Sequence, residues 1–120
     1  MNVVGVLQHE SDVHSVPAGE YVFHEGDHGT EMYVVEEGQI NIVIRGRVIE
    51  EIGPGGIFGE MALIDSQPRT ADALAAVASK IAKVDADRFM YLAKLNPYFS
   101  LDVLRVTVER LRRHLAETHG

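Results

Sequence analysis

The 120-residue chain carries 18 acidic and 11 basic residues, a formal net charge of -7, a sequence pI near 5.2 and no cysteine. That length predicts one domain with a core of its own. The lack of cysteine excludes disulfides and thiolate chemistry, and the acidic balance opposes non-specific association with nucleic acid or anionic membrane. No apolar run approaches the roughly 20 residues that span a bilayer. The first seven residues lack the basic n-region and cleavage site of a signal peptide. The expectation is a cytoplasmic protein with no membrane partner and no direct nucleic-acid partner.

Val3, Val4, Val6 and Leu7 show no clear period, and residues 8–15 are mostly polar, which predicts a short strand or helical turn and then an extended lead-in. From Val16 onward, short apolar runs are broken at regular intervals by glycine turns, the pattern of an antiparallel all-β domain. Strands are predicted over residues 21–23, 32–35, 40–44 and 48–52, with turns at 25–29, 36–39, 45–47 and 53–56. Ile40, Ile42 and Ile44 alternate with Asn41 and Val43, placing the isoleucines on one face. Residues 74–78 and 81–84 form two further apolar segments joined by Ser79 and Lys80, although the alanines leave helix open for 71–78. The period then changes. Asp85 is placed to cap a helix over about 85–96 with Phe89, Leu92 and Ala93 on one stripe, and Asn96-Pro97 interrupts it. Ser100 is the expected cap of a last helix reaching about 117, whose stripe is Leu101, Leu104, Val108, Leu111 and Leu115. That stripe is expected to be buried, either on the chain's own sheets or against the same helix of a second subunit. Arg105, Arg110, Arg112 and Arg113 read as the positive charge that a helix C-terminus prefers.

The stretch from Gly53 to Ala71 reads as a site. After the turn Gly53-Pro54-Gly55-Gly56, the step Ile57-Phe58 leads to Gly59-Glu60 and an apolar run that can make a helical turn or two before Pro68. The backbone N–H groups of Gly59, Glu60, Met61 and Ala62 then form a nest for an anion. Arg69 offers a rigid fork of donors suited to phosphate, and the Thr70 hydroxyl adds one more. Glu60 either complements the helix dipole or accepts hydrogen bonds from sugar hydroxyls. A phosphate beside a hydroxyl-bearing ring suggests a nucleotide.

The run Phe58-Gly59-Glu60 followed, after a proline turn, by Arg69-Thr70-Ala71 resembles the phosphate-binding cassette of the cyclic nucleotide-binding domain family. Upstream, Pro17-Ala18-Gly19-Glu20-Tyr21-Val22-Phe23-His24-Glu25-Gly26-Asp27 and Met32-Tyr33-Val34-Val35-Glu36-Glu37-Gly38-Gln39-Ile40 resemble that family's first two hairpins, so the likeness covers roughly residues 16–90. The resemblance implies a mainly β fold, an antiparallel, jelly-roll-like β-roll over about 16–84 with a short cassette helix and two C-terminal helices. It favours strand for the alanine-rich segment. It also implies that Arg69 takes the exocyclic phosphate oxygens of a cyclic nucleotide and Glu60 the ribose 2'-hydroxyl. The amides of Gly59, Met61 and Ala62 complete the cradle, and Thr70 serves the phosphate or the base. Cyclic AMP is the expected ligand by resemblance to bacterial relatives, with cyclic GMP the alternative.

Phe58 and Met61 read as core, and Gly19, Gly26 and Gly38 as turn requirements. His24 and His28, with Glu25 and Glu31 nearby, lack a third histidine to complete a metal site, and His9, His14, His114 and His119 read as surface residues. No nucleophile with an adjacent base, no pair of carboxylates across a cleft and no GxxxxGK[ST] or GxGxxG run occurs. The expected protein is a stand-alone, non-catalytic sensor without a cofactor, in which ligand brings the last helices over the base. Its signal would leave through a homodimer or an effector protein at the C-terminal helix. The chain stops where transcription-factor relatives continue into a helix-turn-helix. The alternatives are a structural or protein-interaction β-roll, or a regulatory fragment of a channel or transcription factor.

Overall fold

The computed structural model describes residues 13–119, with side chains described through residue 115. The strands are β1 (Val13–Val16), β2 (Tyr21–Phe23), β3 (Met32–Glu37), β4 (Ile40–Ile44), β5 (Arg47–Ile52), β6 (Ile57–Phe58), β7 (Asp72–Ala75) and β8 (Ser79–Val84). Helix α1 (Glu60–Asp65) lies between β6 and β7, and α2 (Ala86–Leu95) and α3 (Pro97–His119) follow β8. Two antiparallel four-stranded sheets result, ordered β1-β8-β3-β6 and β2-β7-β4-β5. This is the mainly β roll with a short helix and two C-terminal helices that the family resemblance implies.

The two-residue period of the first sheet divides the core in two. Met32 and Val34 of β3, Ile57 of β6, and Ala82 and Val84 of β8 meet Leu92 of α2 and Phe99 and Val103 of α3. Tyr33, Val35, Phe58 and Ile81, from the same strands, meet Ile40, Ile52, Ala73 and Ala75 of the second sheet. Because β3 is covered on both faces, its apolar residues run consecutively rather than alternately.

Several local expectations change. The first twelve residues lie outside the described region, but Val13–Val16 is a strand paired with β8 rather than only an extended lead-in. Strand β7 ends at Ala75, and the turn falls at residues 76–78, so Ser79 and Lys80 already belong to β8. Ser79 fixes that corner. Its buried hydroxyl donates to Val77 O at 2.8 Å and accepts from Gln39 N at 3.1 Å. The β4–β5 register shifts between Ile42 and Val43 because β5 carries an extra residue, Ile49, whereas β4 stays in unbroken register with β7; Val43 is buried although it alternates with the isoleucines.

Asp85 caps α2 as expected, accepting from Arg88 N at 2.8 Å. Helix α3, however, starts at Pro97, with the Asn96 side chain accepting from Tyr98 N at 3.1 Å, so Ser100 lies inside the helix. Proline at the first helical position loses no hydrogen bond and is preset in φ. The largest change is the helix's phase. Phe99 and Val103 are buried and Val106 packs on the same cluster, whereas Leu101, Leu104, Val108, Leu111 and Leu115 are each about half exposed.

Candidate functional site

Strand β6 runs into Gly59, whose φ of 75° reverses the chain into α1, a conformation L-residues with a Cβ resist. The tightness has a second source, since a Cβ there would lie 2.8 Å from Arg69 Nη1. The N–H groups of Gly59, Glu60, Met61 and Ala62 open this helix and have no intrahelical acceptor. Helix α1 ends at Ser66, where left-handed φ closes a bond from Ser66 N to Ala62 O, and Pro68 then sends the chain toward Arg69.

Arg69 is 5% exposed. Its Nη1 donates to Gly59 O at 3.0 Å and its Nη2 to Glu31 O at 2.8 Å, while the guanidinium lies 4.3 Å from the centre of the Phe23 ring. Its main chain is tied to the turn after β2, with Gly26 N donating to Arg69 O and Arg69 N to Asp27 O. Gly29 faces the same group, and a Cβ there would come within 2.6 Å of Arg69 Nη2. The side chain is thus fixed by two carbonyls and an aromatic face, and three of its five N–H groups make no hydrogen bond among the described residues. Behind it, the Glu31 carboxylate accepts from Tyr33 Oη at 3.1 Å and sits 3.9 Å from Arg69 Nη2 and 3.7 Å from Lys83 Nζ. Burial, then the Glu31 charge and hydrogen bond, pushes the Tyr33 hydroxyl up to about 12, so it stays a donor through the neutral range.

Glu60 is 3% exposed, and its partner comes from the far end of the chain. Arg110 Nη1 of α3 donates to Glu60 Oε1 at 2.6 Å. The same guanidinium forks onto Glu50 of β5, Nε to Oε1 at 3.0 Å and Nη2 to Oε2 at 3.0 Å, and Nη2 also reaches Ile57 O. Arg113 adds a 3.4 Å contact to Glu50. A buried carboxylate without such a partner would be strongly destabilising. This network therefore seats α3 beside α1.

Gly59, Glu60, Met61, Ala62, Arg69 and Thr70 all line one cavity of about 310 Å3. Phe58, expected as core, is fully buried and also forms part of the wall, and Met61, likewise expected as core, borders the cavity half-buried. Ile42, Ile44 and Ile49 of the β4–β5 hairpin and Leu111 of α3 supply an apolar side. Sequence reasoning missed Glu50, Arg110, Leu111 and His114, all of which border the cavity. From the sequence, Arg110 reads as helix-end charge and His114 as a surface residue. The signal for Arg110 was present, because Phe99, Val103, Val106 and Arg110 share one helical face once the helix is phased on Phe99 rather than on the leucines. The cavity therefore combines a fixed guanidinium, helix-opening amides, a paired carboxylate and an apolar wall, a set suited to a small anion carrying hydroxyls and a flat apolar part.

Residues 13–96 match the family described as the cyclic nucleotide-binding domain. The chain is 37% identical over 83 residues to the cAMP-dependent protein kinase regulatory subunit of Emericella nidulans, covering 68% of this chain and 20% of that protein. Curated relatives of this kind are longer, and the match spans between 20% and 46% of their length. Among solved structures, the Thermus thermophilus catabolite activator protein superposes with a TM-score of 0.81 at 26% identity, over 97% of this chain and 56% of that one. A second, described as "A cyclic-GMP-dependent signalling pathway regulates bacterial phytopathogenesis", superposes with a TM-score of 0.78 at 28% identity, over 92% of this chain and 91% of that one. Such domains are regulatory binding modules rather than catalysts, and no described helix is long and apolar enough to cross a membrane. With a family match over residues 13–96, two superposed folds and a cassette helix facing a buried arginine, the chain belongs to the cyclic nucleotide-binding domain family.

Proposed function

We propose that this domain binds a cyclic nucleotide monophosphate, cyclic AMP in preference to cyclic GMP, as a cytoplasmic sensor that does not turn its ligand over. The observation that carries the reading is the convergence of buried Arg69 and buried Glu60 on one 310 Å3 cavity. Arg69 and the amides of Gly59, Met61 and Ala62 take the phosphate, Glu60 takes the ribose 2'-hydroxyl, and Thr70 lies where it can reach phosphate or base. Hydrogen bonds to a charged group are each about 1.5 to 3 kcal/mol, and micromolar binding needs about 8 kcal/mol. Four or five such bonds with a partly covered base reach that figure after the cost of association. Ligand acts by shifting the position of α3, whose exposed Leu101, Leu104, Val108, Leu111 and Leu115 recur at heptad spacing and suit a second copy of the chain or an effector protein.

Calorimetric titration of ligand-free protein with each nucleotide tests the reading. A dissociation constant in the micromolar range or below for cyclic AMP is expected. Absence of heat up to millimolar cyclic AMP and cyclic GMP would leave a β-roll that binds no nucleotide. Tighter binding of cyclic GMP, the nucleotide named for one structural relative, would reverse the assigned preference.

A further inference from the structure

The Arg110 guanidinium serves two carboxylates unequally. Glu50 receives the paired bonds, Nε to Oε1 and Nη2 to Oε2, both at 3.0 Å. Glu60 receives one bond, from Nη1 to Oε1 at 2.6 Å, and among the described residues no hydrogen bond is made to its Oε2. A guanidinium fork frequently engages a single carboxylate with two parallel bonds. In this chain the fork is spent on Glu50, a residue of β5 that borders the same cavity. Glu60 is 3% exposed and lines the cavity.

We infer that Glu50 is a positioning residue for sugar recognition: by holding the Arg110 fork it keeps Glu60 singly bonded and its second oxygen open to a ribose hydroxyl. This rests on the reading of Glu60 as the sugar acceptor and goes beyond it, assigning selectivity to a side chain on another strand. Without Glu50, Arg110 is free to turn its fork onto Glu60. Both carboxylate oxygens would then be occupied, and the hydroxyl would have to break an ionic bond to enter. Arg113, which also contacts Glu50, would lose its place on β5 at the same time.

The probes are cyclic AMP and its 2'-deoxy form, titrated calorimetrically into the whole chain carrying wild-type sequence, Glu50→Ala or Glu50→Gln. Wild type is expected to favour the ribose form by about 10- to 100-fold, the worth of one hydrogen bond to a charged acceptor. In Glu50→Ala that ratio should fall to about 3-fold or less, through loss of ribose-form affinity with little change for the deoxy form. Glu50→Gln, which retains the shape of the side chain, should fall between the two. Glu50 lies on a sheet edge and is partly exposed, so both variants should fold, which the thermal midpoint without ligand records. An unchanged ratio, or equal losses for both nucleotides, would overturn the inference and leave Glu50 a purely structural ion-pair partner. Wild type binding neither nucleotide would overturn the sensor reading and this inference with it. Wild type binding both nucleotides equally would remove Glu60 from sugar recognition while leaving phosphate binding standing.

Discussion

Replacing Arg69 by alanine should produce two separable effects. In the free protein its guanidinium bridges Gly59 O and Glu31 O from a position only 5% exposed. Alanine leaves both carbonyls without that donor, at about 1 to 3 kcal/mol each for groups that stay buried. Water entering the space left by the side chain would recover part of this, which gives a net loss of about 2 to 5 kcal/mol. At roughly 4 °C per kcal/mol for a domain of this size, the thermal midpoint without ligand should fall by about 8 to 20 °C. The second effect concerns ligand. Wild type at a hundredfold excess over its dissociation constant should gain about 2.7 kcal/mol, or about 10 °C, whereas Arg69→Ala should show no shift at millimolar cyclic AMP. Differential scanning fluorimetry with and without nucleotide reads both numbers, and denaturant melts separate folding from binding. A variant that keeps the wild-type midpoint would refute the structural role of the guanidinium. A variant that keeps the ligand shift would refute its role at the phosphate.

Gly29→Ala should weaken cyclic AMP binding by about 10- to 100-fold without touching ligand, because its Cβ would come within 2.6 Å of Arg69 Nη2 and displace a side chain held by two carbonyls; wild-type affinity in calorimetry would show that the loop yields instead. Tyr33 makes stability fall in alkali. Its hydroxyl is raised from 10.0 to about 12 in the fold, so the folded state holds that proton more tightly than the unfolded state does. The associated stability, about 2 to 3 kcal/mol, is fully present below pH 10 and is lost as pH rises through 12. Tyr33→Phe should flatten that part of a urea-melt series, and a parallel decline in both proteins would assign it to other groups. If the exposed α3 stripe pairs two copies, Val108→Glu should convert a dimer to a monomer in sedimentation velocity while leaving the thermal midpoint of the β-roll nearly unchanged; a monomeric wild type at high micromolar concentration would refute the homodimer.

Where the cavity is built from residues close together in the chain, the sequence already groups them, and Gly59, Glu60, Met61, Ala62, Arg69 and Thr70 line it together. Gly59 and Glu60 share one turn, Arg69 and Thr70 follow a proline ten residues later, and the proposed nest, fork and acceptor rest on local chemistry at those positions. The strands were legible for the same reason, since glycine at each turn and apolar runs between them are nearest-neighbour signals. The 76–78 turn escaped because what fixes it is Ser79 reaching Gln39, a contact between residues forty positions apart.

Helix phase and charge partnership belonged to the tertiary structure. Both Phe99-Val103-Val106 and the leucine series have helical spacing, and only the surface waiting on β3, β6 and β8 selects the first for burial. That choice rotates Arg110 inward. A guanidinium fifty residues from Glu60 and sixty from Glu50 then becomes the partner of both. Composition counts such charges but cannot pair them, because the energy of an ion pair depends on distance and burial, and those are set by how the sheets and helices close on each other.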